Sequence, residues 1–432
     1  MSFREKLLVE DHILQKLTEK GWTYTPAENL ERESFEEPLL NSNLVRALEK
    51  LNRNLSITEE EIKKVINELK LLSTGIEGAK KVLNFLKFGV PIKFDKDRIV
   101  KFVRLLDHEI PEKNEFISTH QVRFQGRDQI RTDIILYVNG IPLVNIECKN
   151  PANIAETWMN AYSQIKDYEK AVPELYKYVQ IGGAAENIAR YFPIVPWADE
   201  VRTHEWKTPE MDSIGSMIEI LARETLLDII RNFLFFRVEM GNATKVITRY
   251  MQYRAANRMV DRVHLNLKGK DKKNKGLVWH WQGSGKTLTM IFAAHKLYFS
   301  SFLENPTLFF MVDRVELEDQ LYQEFNALDI AKPEIIGSIT ALKKMLCYDD
   351  YRGKRGLFIV LIHKFRPEEL KLLQMELVEV SKHKETIMTR RNVVAFIDEG
   401  HRTQYGLLAG QMKAILKKAF FFAMTGTPIA KH

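Results

Sequence analysis

Leu277-Val278-Trp279-His280-Trp281-Gln282-Gly283-Ser284-Gly285-Lys286-Thr287 passes from a short β-rich run into a glycine-bearing turn, and Leu288 to Tyr298 continues as an apolar stretch with helical spacing. Strand, Gly-Ser-Gly-Lys-Thr and helix in that order make a phosphate-binding loop. Gly283, Ser284 and Gly285 let successive backbone N–H groups approach phosphate oxygens, and the helix N-terminus adds positive potential. Lys286 reaches the outer phosphates and the Thr287 hydroxyl is placed to ligate magnesium. His280 stands where the common loop has its first glycine, so the loop is a variant.

Beyond this loop the same rhythm repeats. The runs Leu277 to His280, Thr307 to Val312, Leu357 to Ile362, Val393 to Ile397 and Phe420 to Met424 alternate with helical stretches. Such alternation predicts a mostly parallel sheet covered on both faces, with ligands beyond the carboxyl ends of its strands. Val393 to Ile397 runs into Asp398-Glu399-Gly400-His401. Two adjacent carboxylates at the end of a buried strand are costly unless they hold a metal or act on water. Asp398 suits magnesium and Glu399 suits polarising an attacking water. Thr425-Gly426-Thr427-Pro428 would by itself be an ordinary turn.

A second chemical signal lies upstream, in Thr132-Asp133-Ile134-Ile135-Leu136-Tyr137-Val138-Asn139-Gly140-Ile141-Pro142-Leu143-Val144-Asn145-Ile146-Glu147-Cys148-Lys149. Asn-Gly between two apolar runs marks a hairpin. A two-residue turn would pair Asp133 with Ile146 and separate it from Glu147 and Lys149; a three-residue loop, Val138-Asn139-Gly140, would pair it with Asn145. Only the second sorts the faces cleanly. It puts Ile134, Leu136, Val144, Ile146 and Cys148 on one face and Asp133, Asn145, Glu147 and Lys149 on the other, so the odd loop is predicted. Two carboxylates that hold magnesium and a lysine that orients water or offsets phosphate charge form a hydrolytic site. The competing reading is an exposed Glu147–Lys149 ion pair on a solvated face.

The whole chain has 432 residues, 45% hydrophobic and 28% charged, which suits two or three folded domains and excludes a mini-protein, a coiled coil or a disordered tail. A net charge of +7 favours a polyanionic partner. Cys148 and Cys347 are the only cysteines, too few for a disulfide framework or a cysteine zinc site, which fits a cytoplasmic protein. The N-terminus lacks the plan of a signal peptide, and no apolar run is long enough to span a bilayer, so no membrane partner is expected. Apolar spacing from Met211 to Val263 predicts a helical connector, dividing the chain into 1–210, 211–263 and 264–432. The basic stretch Lys268 to Lys275 reads as a solvated loop.

The loop Gly283 to Thr287, Asp398-Glu399-Gly400-His401 and Thr425-Gly426-Thr427 resemble motifs I, II and III of superfamily 2 helicase-like translocases, in the family's order. Val312-Asp313-Arg314 with Leu317 and Gln320 resembles motif Ia, and Arg249 with Gln252 resembles the adenine-reading Gln motif. This likeness implies a first RecA-like lobe that binds ATP and Mg2+, with Asp398 and His401 on the nucleotide side. The family's second lobe, which supplies arginines across the cleft, has no candidate here, so weak ATP turnover is expected. Asp133, Glu147 and Lys149 resemble the PD-(D/E)xK nuclease fold, with Thr132 replacing the proline. Gln164 and Tyr168 match the Gln-x-x-x-Tyr signature of its RecB-like branch, and Glu10 is placed to be that branch's additional helical carboxylate.

A RecB-like nuclease ahead of such a motor resembles the restriction (motor) subunit of type I restriction enzymes, as an N-terminal fragment. The implied fold class is α/β: a mixed-sheet nuclease domain followed by a parallel-sheet P-loop domain. The implied activity is ATP-driven translocation of double-stranded DNA coupled to Mg-dependent cleavage. The implied partners are the modification methyltransferase and specificity subunits. An autonomous repair helicase-nuclease and an inert DNA-binding scaffold are the alternatives.

Overall fold

A computed structural model describes residues 2–94, 96, 98–150, 153, 155–281, 283–312, 315–328, 330–398 and 403–426, without the side-chain surroundings of 2–8, 315–316, 363, 403–407 and 409. The chain divides into two compact units, one of residues 1–236 and 241–250, the other of 237–240 and 251–432. No helix among the described residues is long and apolar enough to cross a membrane.

In chain order the first unit contains α1 (Ser2–Glu19), β1 (Thr23–Tyr24), α2 (Asn41–Leu51), α3 (Glu59–Leu71), α4 (Ile76–Phe88) and the antiparallel pair β2 (Val90–Lys93) and β3 (Val100–Val103). There follow β4 (Phe116–Gln125), β5 (Gln129–Val138), β6 (Ile141–Cys148), α5 (Trp158–Ala171), α6 (Pro173–Tyr176), β7 (Ile181–Ala185), β8 (Ala189–Pro193), α7 (Ser213–Leu221) and α8 (Arg223–Asn232). One six-stranded sheet, ordered β1-β4-β5-β6-β7-β8, organises this unit. It is mixed: β1 with β4 and β6 with β7 are parallel, the other neighbours antiparallel. Ile135 and Tyr137 of β5 pack with Ile165 of α5 and Tyr176 in the core on one face, while Ile134, Leu136 and Ile146 are fully buried on the other.

The hairpin β5–β6 corrects the odd-loop expectation. Val138 pairs with Ile141, so the turn has two residues, Asn139 and Gly140, with φ of 52° and 78°. Positive φ at both positions is the type I′ geometry that matches strand twist. The register then shifts: Tyr137 faces Pro142 but Leu136 faces Val144, leaving Leu143 as a bulge. Proline has no N–H for the ladder and is tolerated at a bulge, which accounts for the irregularity beside Pro142. The extra residue restores the parity that the odd loop was invoked to supply, so Asp133, Asn145 and Glu147 share a face after all.

The span 211–263 is not wholly helical. Between α8 and α9 (Tyr250–Leu267) lies a hairpin of β9 (Leu234–Glu239) and β10 (Asn242–Ile247). Its turn residues Met240 and Gly241 both have positive φ, again the two-residue turn geometry. The aromatic and β-branched residues of Leu234-Phe235-Phe236-Arg237-Val238 and Thr244-Lys245-Val246-Ile247 favour pleated structure over the helical periodicity counted across them. Residues 211–236 and 241–250 belong to the first unit and 251–263 to the second.

In the second unit α9 is followed by β11 (Lys275–Trp279), α10 (Lys286–Tyr298), β12 (Thr307–Val312), α11 (Val315–Ala327), β13 (Glu334–Ile336), α12 (Ile339–Leu346) and β14 (Gly356–Leu361). It continues with α13 (Pro367–Ser381), β15 (Val393–Asp398), α14 (Thr403–Ile415) and β16 (Phe420–Thr425). The six strands form one all-parallel sheet in the order β11-β16-β15-β12-β14-β13. All the expected strand runs are present, and β13, too short to register as a pattern, adds an edge. Both units are α/β, a mixed sheet and a parallel P-loop sheet, as the sequence implies.

Candidate active sites

In the first unit the ladder between β5 and β6 ends at Ile134 and Ile146, and beyond it β5 stays paired with β4 while β6 pairs with β7. Two carboxylates fill the fork. Glu147 Oε1 accepts from the Asp133 backbone N–H at 3.1 Å, and Asp133 Oδ2 accepts from the Cys148 N–H at 2.9 Å. Asp133 is 3% exposed and Glu147 is fully buried, which rules out the exposed ion pair on a solvated face.

Lys149 extends this face from the end of β6. Its Nζ donates to Gln164 Oε1, Gln164 Nε2 donates to Tyr168 Oη at 2.6 Å, and Tyr168 Oη donates to the Arg131 carbonyl on β5 at 3.0 Å. Gln164 and Tyr168 lie one turn apart on α5, whose start is fixed by a capping box between Thr157 and Asn160. The relay therefore ties lysine, helix and strand together and sets the direction of the ammonium group.

Glu10 comes from α1, is 1% exposed, and joins the site indirectly: its Oε2 accepts from Gln121 Nε2 at 2.7 Å, and the same nitrogen lies 3.5 Å from Asp133 Oδ1. Sequence reading missed Gln121. It sits in mid-strand with φ of 56°, a left-handed conformation rare for a residue with a side chain and concentrated at functional sites. Tyr176 was missed as well. Its Oη accepts from Asn145 Nδ2 at 2.7 Å, and burial, then the Glu147 charge, push the phenol well above its ordinary value, so it stays neutral beside the carboxylates.

Among the described residues no group of three or more His, Cys, Asp or Glu side chains converges on a metal position. Magnesium does not require one, since it keeps several waters and uses one or two carboxylates. The hard oxygen donors of Asp133 and Glu147, buried side by side, fit that demand.

In the second unit Gly283 and Gly285 have φ of 79° and 84°, and Gly285 caps the start of α10. These conformations explain glycine at both positions. Ser284 is 4% exposed and its Oγ donates to the Trp281 carbonyl at 2.6 Å, closing the loop from within. Gln252, on α9 and 2% exposed, donates from Nε2 to the Gly285 carbonyl at 3.2 Å and stands 3.4 Å from that of Ser284. It braces the loop. Arg249 belongs to the first unit, half-buried, where burial and then Arg202 lower its guanidinium from the ordinary value. His280 is buried, and burial followed by the Lys286 charge lowers its imidazole, keeping it neutral at the place of the usual first glycine.

Strand β16 lies between β11 and β15, with Trp279 level with Thr425 and Asp398 level with Met424. The phosphate loop and Asp398, 8% exposed, thus leave the same carboxyl edge two strand spacings apart, about 10 Å. Lys286 and Thr287 open α10 at that edge. Glu399, His401, Asp313, Arg314 and Thr427 lie outside the described residues.

A mixed-sheet unit with a buried carboxylate-lysine face and a parallel-sheet unit with a phosphate loop define a two-part α/β protein of the P-loop class. Residues 2–201 match the family model of the type I restriction enzyme R protein N terminus, and residues 251–432 match that of the SWI2/SNF2 ATPase. A Methanocaldococcus jannaschii protein named "Putative type I restriction enzyme MjaVIIIP endonuclease subunit" is 33% identical over 99% of this chain and 42% of its own length. The type I restriction enzyme HindI endonuclease subunit of Haemophilus influenzae is 28% identical over 98% of this chain and 42% of its own length. The chain belongs to the family of type I restriction enzyme endonuclease subunits. It spans about 42% of the length of these curated relatives.

Proposed function

We propose that the first unit cuts DNA phosphodiesters with Mg2+ and that the second binds ATP with Mg2+ to drive translocation of double-stranded DNA. The chain would work in the cytoplasm within an assembly that includes methyltransferase and specificity subunits. The observation carrying the nuclease half is the convergence of buried Asp133 and Glu147 with Lys149, held by the Gln164–Tyr168 relay. Asp133 and Glu147 would hold the metal, which when bound lowers the pKa of a water and offsets phosphate charge. Lys149 donates to the attacking water or to a phosphate oxygen, and Gln121 keeps Glu10 and Asp133 in register.

For the motor half, the backbone of Gly283 to Gly285 cradles phosphates, Lys286 contacts the outer ones, and Thr287 and Asp398 would hold magnesium. Glu399 is proposed to orient the attacking water, His401 to support the nucleotide side, and Arg249 with Gln252 to serve the base or the loop. The reading is tested by ATP-dependent cutting of circular DNA by the full-length subunit with and without partner subunits. Cutting that requires partners is expected. Cutting by the subunit alone would indicate an autonomous nuclease, and DNA binding indifferent to ATP and magnesium would indicate a scaffold.

A further inference from the structure

The first unit holds a basic cleft of about 410 Å³ that the nuclease face does not use, lined among others by Gly21, Arg46, Lys50, Lys113, Phe116 and Arg223. Arg46 and Lys50 are exposed one turn apart on α2, and Arg223 is the first residue of α8. The acidic member of the lining, Glu115, already accepts a hydrogen bond from Asn43 Nδ2 at 2.8 Å. Among the described residues Arg46 and Lys113 make loose ion pairs, 3.6 Å to Glu31 and 3.5 Å to Asp107. Cations therefore dominate the cleft.

Arg223 gives the cleft its built character. Its guanidinium packs so closely on Gly21 that a Cβ there would stand 2.6 Å from Cζ, and it lies 5.8 Å from the Phe116 ring centroid. Gly21 itself has φ of 88°, so the chain bends there in a way that admits the guanidinium. Nε of Arg223 is buried and, among the described residues, donates to nothing. Nε, closed off from solvent against Gly21, is out of reach of a ligand, so the packing holds the guanidinium in place and its remaining N–H groups are the ones that would give an oxyanion charge-assisted hydrogen bonds.

We propose that this cleft is a phosphate-binding site, with Arg223 as its fixed donor and Arg46, Lys50 and Lys113 as its mobile charges. A duplex backbone is the source that the layout favours. Phe116 opens β4 and Gln121 lies five residues further along it, about 17 Å at the rise of a strand, or about five base steps of duplex. Three exposed cations, Arg46, Lys50 and Lys113, suit a run of backbone phosphates better than a single ion. The other source is a free phosphate ion.

The test uses the 432-residue chain in magnesium-free buffer, so that it reads binding independently of the nuclease assignment. Affinity for a duplex oligonucleotide is measured against KCl concentration for the parent chain, for R46Q/K50Q and for R223Q. Removing two phosphate contacts should make the log–log salt slope shallower by about two, and removing one by about one. In parallel, phosphorus NMR follows titration with inorganic phosphate. A shallower DNA slope supports the site with backbone as its ligand. Saturable phosphate binding that R223Q loses and R46Q/K50Q weakens, with an unchanged DNA slope, supports the site with the free ion as its ligand. If R46Q/K50Q melts like the parent and changes neither readout, the proposal is overturned, whatever the fate of R223Q.

Discussion

Lys149 is held at the end of three consecutive hydrogen bonds, so its usefulness depends on residues that never meet substrate. Tyr168→Phe removes the donor to Arg131 O and leaves Gln164 free to swing. Cleavage in the assembled enzyme should fall about 10- to 100-fold, the range for supporting hydrogen bonds around metal sites, while ATPase is unchanged. A nuclease rate equal to the parent's would show that the relay is only packing. Gln121 offers a sharper case. Gln121→Gly relieves the strain of φ 56° but removes the donor to buried Glu10, so stability should change by less than about 1 kcal/mol while cleavage needs more magnesium; a metal titration that matches the parent's would show that Gln121 does not organise the site. That Asp133, Glu147, Lys149, Gln164 and Tyr168 come together was legible from their spacing along β5, β6 and α5. Gln121 and Tyr176 were not, since a left-handed residue inside a strand leaves no periodic trace and a buried tyrosine looks like core.

Among the elements, the hairpin β5–β6 shows how a face assignment can hold while its stated cause fails. Asn139-Gly140 formed the two-residue turn its composition favours, and the bulge at Leu143 restored the parity. Pro142 was the available signal, because a proline in a central strand calls for a bulge. Gly140→Ala should be severe: φ is 78°, and the new Cβ would stand 2.5 Å from the Leu40 carbonyl oxygen and 2.9 Å from the Leu44 nitrogen. We expect a loss of about 2 kcal/mol or more in urea unfolding, and a change below about 0.5 kcal/mol would contradict the turn geometry. In the second unit Gly285→Ala would put a Cβ 2.2 Å from Gln252 Nε2 at φ of 84°. ATP-analogue binding measured by calorimetry should fall at least about tenfold because the phosphate cradle cannot close. Parent-like affinity would exclude this loop as the nucleotide site.

On the scale of the whole molecule, the two α/β units were legible because each has its own chemistry-bearing strand ends; the middle was not. Helical spacing counted across Met211 to Val263 ran through a hairpin whose aromatic and β-branched residues satisfy both periods over short windows. That middle also supplies Lys245 and Phe235, which tie two buried lysines to the first unit. Lys87 lies over the Phe235 ring and Lys245 donates to Gln180, and burial lowers both to about 7. Unfolded lysine titrates near about 10.4, so between these values the unfolded chain binds more protons and stability rises with pH. The melting temperature of the first unit should therefore increase between about pH 7.5 and 9.5, and Lys87→Met should flatten the rise. A melting temperature that falls over this window would contradict the burial of neutral amines.

A nuclease site in the first unit and an ATP site in the second should be separable by single substitutions. The measurement is cutting of supercoiled DNA alongside ATP hydrolysis by the full-length, partner-assembled enzyme bearing Lys149→Ala or Lys286→Ala. Lys149→Ala should abolish cutting and keep ATP hydrolysis, and Lys286→Ala should abolish both. Persistent cutting by the Lys149→Ala enzyme, or undiminished ATP hydrolysis by the Lys286→Ala enzyme, would contradict the assignment.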